Sequence, residues 1–215
     1  MLKLYGGNIS PFVRKTRVFL AEKGLSYEYE QLSPFPPSEK LRQLSPLGRI
    51  PAFQDGDKTM ADSSIICAYL ERTHPQPPLY PSDPYDYARA LYFEEFGDGG
   101  LAPIIGPKIF FNKIVGPLLM KRPIDEELAK TAVEKDLPPM FDYLESKING
   151  DFLVGNKLTI GDIGIATSFV NFKHAGYKVD AGRWPKLAAY IDKIHSRPSF
   201  KTVIDEEVNT YHFKH

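Results

Sequence analysis

The sequence predicts an α+β N-terminal domain, ordered βαβ then ββα, followed by an all-α helical bundle. Three observations carry that reading. Short strand-like runs alternate with helical periodicity in the first part of the chain. A segment from His74 to Pro84 holds five prolines in eleven residues, and proline removes backbone donors and restricts the residue before it. Beyond Pro84 strand signals fade and the 3.6-residue period takes over. The organisation is a domain over 1–76, a proline-rich linker at 77–84 and a helical domain over 85–215.

Each element follows from local chemistry. Leu2–Tyr5 reads as a short strand closed by the turn residues Gly6, Gly7 and Asn8. Ser10-Pro11 is a helix start, serine as N-cap and proline at the first helical position. Phe12, Thr16, Phe19 and Leu20 fall near one helical face, and Gly24 supplies the stop. Tyr27–Leu32 is the next strand, and the strand–helix–strand unit makes it parallel to the first. After the loop Ser33–Pro37 and a short helix over Ser38–Leu44, Ala52–Gln54 and Lys58–Ala61 form a hairpin about Asp55-Gly56-Asp57. Ile65, Ile66, Tyr69 and Leu70 then mark the apolar side of a helix.

In the second domain Ala88, Leu91 and Tyr92 open one helix, and Leu137, Met140, Phe141, Leu144 and Ile148 are spaced for another. Pro138-Pro139 forbids an unbroken helix there, which predicts a break near Asp136. Ile163, Ala166, Phe169 and Val170 mark a further helix, as do Leu187, Tyr190, Ile191 and Ile194.

Composition narrows the function classes. Lys+Arg and Asp+Glu are both 27, so no net field favours nucleic acid or an anionic membrane. The first residues, MLKLYGGNISPF, lack the apolar core of a signal peptide, and no later run reaches membrane-spanning length; the expected compartment is cytoplasmic. Cys67 is the single cysteine, read as a small core hydrophobe, and the five histidines show no metal-ligand spacing. His212 and His215 fall in a C-terminal tail.

Three motifs carry chemistry. Asn8-Ile9-Ser10-Pro11-Phe12 follows the first strand, Gly48-Arg49-Ile50-Pro51-Ala52-Phe53 enters the third, and Asp62-Ser63-Ser64 opens the helix after the hairpin. Read as S-P-F-x-x-[RK]-x-R, then [KR]-[IV]-P, then [DE]-S-x-x-I, the ordered set resembles the glutathione transferases of the cytosolic, serine-active-site type, bacterial and theta- or tau-like. Thr159-Ile160-Gly161-Asp162 is similar to that family's helix-capping motif, and Arg197-Pro198-Ser199-Phe200 to its closing segment.

The resemblance implies a thioredoxin-like N-terminal domain, a homodimer, glutathione as co-substrate on the first domain, and a small hydrophobic electrophile bound between domains. It assigns catalysis to Ser10, whose hydroxyl would meet the glutathione sulfur, and glutathione binding to Phe12, Arg49, Ile50, Pro51, Asp62 and Ser63. Ile50-Pro51 would be a cis peptide exposing the Ile50 backbone to the cysteinyl residue of glutathione. Arg49 would meet a carboxylate, Ser63 and its helix N-terminus the γ-glutamyl carboxylate, and Asp62 the ammonium. Many relatives carry glutamate where Asp62 stands. The residues themselves leave alternatives open. Ser10 is equally an N-cap, Asn8 is a second thiol contact, Arg49 a solvated surface charge and Asp62-Ser63 simple caps. Ile104, Ile105, Phe110 and Phe111, in the apolar stretch Ala102–Met120, either pack a core or wall an electrophile pocket. Asp98 is placed to reach a partner subunit's glutathione. Three activities remain: conjugation, glutathione-dependent reduction or isomerisation, and a non-catalytic role on the same fold.

Overall fold

The computed structural model describes residues 1–213. It forms two compact units, Met1–Leu79 and the residues from Tyr80 onward.

The first unit is built on a four-stranded sheet of order β2-β1-β3-β4. Strands β1 (Leu2–Tyr5) and β2 (Glu28–Glu30) pair in parallel across helix α1 (Pro11–Glu22). Helix α2 (Glu39–Leu44) precedes the antiparallel pair β3 (Ala52–Asp55) and β4 (Lys58–Ala61), with β3 also antiparallel to β1. Helix α3 (Ser63–Thr73) completes the unit. Strand alternation divides the sheet's side chains between two faces. Tyr5 and Ala52 pack with Leu41 of α2 on one face, with Leu32, Leu44 and Ile50 around them. Leu4 and Phe53, facing each other in register, lie buried on the other.

Helix α3 corrects one expectation. Its buried stripe is Ser63, Ile66, Cys67 and Leu70, the i, i+3, i+4, i+7 pattern, whereas Ile65 is 58% exposed. Two adjacent isoleucines cannot share one narrow stripe, and Ile66 takes the inward position. Cys67 is fully buried in that stripe.

The second unit is helical throughout. Helix α4 (Pro84–Glu95) runs into a π-helical segment Phe96–Leu101, then α5 (Ala102–Ile104), a second π-helical segment Ile105–Val115 and α6 (Gly116–Met120). Helix α7 (Glu126–Thr131) and the π-helical segment Ala132–Asp136 lead to α8 (Pro138–Lys147). The chain restarts at the proline pair, where Leu137 N–H reaches back to Ala132 C=O at 2.9 Å. Helices α9 (Ile160–His174), α10 (Pro185–His195) and α11 (Pro198–Tyr211) follow.

Helix α9 is buried nearly all round, and packing against it decides the buried face of α4. The expected helix is present, and its buried face is Ala90, Phe93 and Glu94, with Ala88 exposed and Tyr92 50% exposed. The reason is close backbone approach. A Cβ at Gly161 would lie 2.8 Å from Ala90 O, and one at Gly97 only 2.5 Å from Gly164 O, so small residues set the crossing rather than large apolar ones.

The start of α9 is held by a buried carboxylate. Asp162 Oδ2 accepts from Thr159 N–H (2.8 Å) and the Thr159 hydroxyl (2.9 Å), while Oδ1 accepts from Leu153 N–H (2.9 Å) and the Tyr190 hydroxyl (2.8 Å). Burial pushes this carboxyl above the ordinary range even though all four bonds pull the other way.

Candidate functional site

The three sequence motifs meet in the first unit. Strand β1 ends in Gly6, where a Cβ would stand 2.5 Å from Val13 Cγ2 and 3.2 Å from Ile50 Cβ; only glycine lets the turn, α1 and the Ile50 loop come this close. Ile50's side chain also lies near Gly7. Pro51 C=O in turn accepts from Asp62 N–H at 3.3 Å, which ties the loop to the start of α3. The third connection runs between the helices, from Lys15 Nζ to Ser64 Oγ at 2.9 Å. The turn before α1, the Ile50–Pro51 loop and the start of α3 thus form a closed triangle.

Ser10 is the N-cap of α1. Its backbone is extended, and its Oγ accepts from Val13 N–H at 3.4 Å, a long capping bond. The residue is half-buried, and among the described residues no acceptor takes its hydroxyl proton. Pro11 carries no N–H, so the free donors of this helix end are few and Ser10 O–H is one of them. Phe12 is half-buried in the same first turn. Asn8, the second thiol contact considered, is fully buried and offers a ligand no surface.

The Ile50–Pro51 peptide is cis. Ile50 precedes β3, and among the described residues neither its N–H nor its C=O joins a backbone bond. Arg49 is exposed and enters no ion pair among the described residues.

Asp62 adopts a left-handed φ of 79° and caps α3, Oδ1 accepting from Ser64 N–H (2.9 Å) and Ile65 N–H (3.4 Å). Asp62 is exposed, and its Oδ2 enters no hydrogen bond among the described residues. Ile66 N–H bonds to Asp62 C=O, so among the described residues Ser63 N–H is the first-turn donor that no backbone or capping bond uses. Ser63 itself is buried, and its hydroxyl has no side-chain partner among the described residues. A helix N-terminus with one free amide and an adjacent hydroxyl is suited to a carboxylate.

Sequence reasoning assigned no role to Lys15 or Ser64, although both lie inside the quoted motifs. The available signal was a cation within the inward-facing stretch of α1: Arg14 and Lys15 are fully buried and Arg17 nearly so, its Nε donating to Tyr27 OH at 3.1 Å. The apolar stretch Ala102–Met120 divides. Ile105 and Phe110 are core residues of the second unit, whereas Ile104 and Phe111 are half-buried. Asp98 is half-buried, and His215 lies outside the described residues. A cleft of about 410 Å³ in the second unit is lined by Asn149, Asp151, Lys186, Tyr190 and Lys193 among others, and no expected site residue borders it.

Two family models match, the glutathione S-transferase N-terminal domain over residues 4–78 and the C-terminal domain over residues 110–207. Glutathione S-transferase U2 of Arabidopsis thaliana is 30% identical over 173 residues, 80% of this chain and 70% of that protein. The chain belongs to the glutathione S-transferase family. A solved glutathione S-transferase from Rhodospirillum rubrum superposes with a TM-score of 0.86 at 26% identity, covering 94% of this chain and 91% of that one. Another, from Methylobacterium radiotolerans, was solved in complex with glutathione sulfonate; it gives a TM-score of 0.77 at 26% identity, covering 94% of each chain. Both units, the mixed sheet and the helical bundle, are those of a glutathione S-transferase.

Proposed function

We propose that this chain conjugates the glutathione thiolate to a small hydrophobic electrophile, with Ser10 holding the sulfur. The observation that supports it most is a half-buried hydroxyl at a helix N-terminus, its proton uncommitted, tied through Ile50 and Pro51 to the free first-turn donors of α3. The bound ligand of the Methylobacterium relative is a glutathione derivative, which agrees with that choice of co-substrate.

The chemistry asked of the protein is small. A free thiol titrates near 8.5, so a thiolate at neutral pH needs a depression of roughly two units, about 2.7 kcal/mol. A hydrogen bond to a charged acceptor contributes about 1.5–3 kcal/mol, and a helix N-terminus about 0.3–2 kcal/mol more. Those two effects suffice without a protein base. Ile50's backbone pairs with the cysteinyl residue, and Ser63 N–H and hydroxyl receive the γ-glutamyl carboxylate. Asp62 Oδ2 faces the ammonium, while Arg49 meets the other carboxylate and Phe12 flanks the sulfur side. The thiolate then attacks the electrophilic carbon, the C–S bond forms and the leaving group departs with its electron pair. On this reading the protein is a cytoplasmic homodimer of the serine type, without nucleic-acid or membrane partners.

Calorimetry with glutathione, paired with conjugation of a chlorinated nitroaromatic, tests the proposal. Saturable binding with thioether formation is expected. Absence of binding at millimolar glutathione overturns it in favour of a non-catalytic role, and binding with disulfide reduction but no conjugation overturns the reaction type.

A further inference from the structure

Lys15 is fully buried, and its ammonium reaches a serine hydroxyl of another helix, Nζ to Ser64 Oγ at 2.9 Å. Removing a lysine from water is costly, and a packing role alone would be filled by an apolar side chain of similar length. Ser64 is gripped from two directions, because its N–H also donates to Asp62 Oδ1 at 2.9 Å. Asp62 is fixed in turn by its own N–H to Pro51 C=O. The residue between Asp62 and Ser64 is Ser63, the one carrying the free donors.

We propose that Lys15, acting through Ser64, is a positioning residue for the γ-glutamyl carboxylate. It couples α1, the helix that Ser10 caps, to the first turn of α3, and so sets the spacing between the sulfur contact and the carboxylate contact. It also places a cation beneath a helix end that already attracts anions. The inference rests on the glutathione reading above and adds to it a residue that touches no part of the ligand.

Because a buried-lysine variant such as Lys15→Met risks misfolding, the decisive variants are Ser64→Ala, which removes the acceptor, and Ser64→Thr, which keeps it. Thermal denaturation first establishes that both fold. Calorimetry then compares glutathione with 4-aminobutyryl-cysteinylglycine, which lacks the γ-glutamyl α-carboxylate. In Ser64→Ala, glutathione binds about five- to tenfold more weakly, the size of one lost hydrogen bond, while the analogue's affinity stays within about twofold. The KM for glutathione rises by a similar factor with kcat retained, and Ser64→Thr restores both. Equal weakening of the two ligands, or a loss in kcat alone, overturns the inference as a merely structural effect. Unchanged glutathione affinity in Ser64→Ala overturns it while leaving the parent reading intact. A wild-type protein that takes up no glutathione overturns both together.

Discussion

Replacing Ser10 by alanine separates the two jobs its hydroxyl can hold. The capping bond to Val13 N–H is 3.4 Å, well beyond the usual 2.9–3.0 Å, so its loss falls at the weak end of the capping range, about 0.5 kcal/mol. Against a domain stability of about 5–15 kcal/mol the variant folds normally. The proposed sulfur contact would be worth more. Losing a hydrogen bond to a charged acceptor, about 1.5–3 kcal/mol, raises the bound thiol by about 1–2 pH units. With a wild-type value near ~6.5, thiolate at pH 7 drops from about three-quarters to between about a fifth and a few per cent. The assay is a pH titration of the ultraviolet absorbance of enzyme-bound thiolate, with the pH–rate profile of conjugation beside it. Both curves shift to higher pH by the same amount in Ser10→Ala, and the rate recovers at alkaline pH. Ser10→Thr, which keeps a hydroxyl, stays near wild type. A bound-thiol titration that does not move, with the fold intact, refutes the reasoning and leaves Ser10 as an N-cap alone.

Two further outcomes concern the second unit. Asp162→Ala leaves Leu153 N–H, Thr159 N–H and the Tyr190 hydroxyl without their shared acceptor, and at about 1–3 kcal/mol for each buried orphan the variant loses at least ~3 kcal/mol, read from the denaturant midpoint. A loss under about 1 kcal/mol would show that those donors find other partners. Burial, followed by a hydrogen bond with Tyr92, pushes the Tyr143 phenol up to about 12. The folded state therefore keeps a proton that the unfolded chain releases near pH ~10, and stability falls as pH rises from there toward the folded value. Tyr143→Phe makes that alkaline decline shallower in denaturation series across the range; an identical slope counts against the assignment.

The first unit was legible in the sequence almost element by element, because its signals are local. Ser10-Pro11, the Gly56 turn and Asp62 each fix a boundary with their own backbone chemistry, and the strands are short enough for parity to show their faces. What escaped was non-local. Ile65 and Ile66 are indistinguishable by composition, and only the packing of α3 decides that the first is exposed. The inward face of α4 is set by glycines on α9, seventy residues on in the chain, whose contribution is the absence of a side chain. Lys15 was hidden for the opposite reason: a cation in an amphipathic helix reads as solvent-facing unless a hydroxyl from another helix is known to await it. The order of the motifs was legible; the contacts that join them through Gly6, Pro51 and Ser64 were not.

The choice between conjugation and thiol–disulfide chemistry turns on where sulfur is. Exchange through the protein requires a thiolate that can attack an incoming disulfide, and its rate depends on thiolate fraction and access. The chain's single cysteine, Cys67, is fully buried in the core stripe of α3. The helix end where an exposed thiolate would be stabilised carries Ser10 instead, and an alcohol cannot form a mixed disulfide. Any reduction by this protein must therefore use glutathione thiolate as the attacking sulfur: it displaces the leaving group of a disulfide or peroxide substrate, and a second glutathione resolves the adduct as glutathione disulfide. On the proposed reading Ser10 would stabilise the first thiolate as it would for conjugation. The two reactions then share a nucleophile and differ only in what it meets. A Ser10→Cys variant sharpens the distinction: incubated with glutathione disulfide, its thiolate attacks one sulfur, a glutathione thiolate leaves, and the protein–glutathione mixed disulfide is detectable by mass, while conjugation is lost to the extent that the hydroxyl was needed.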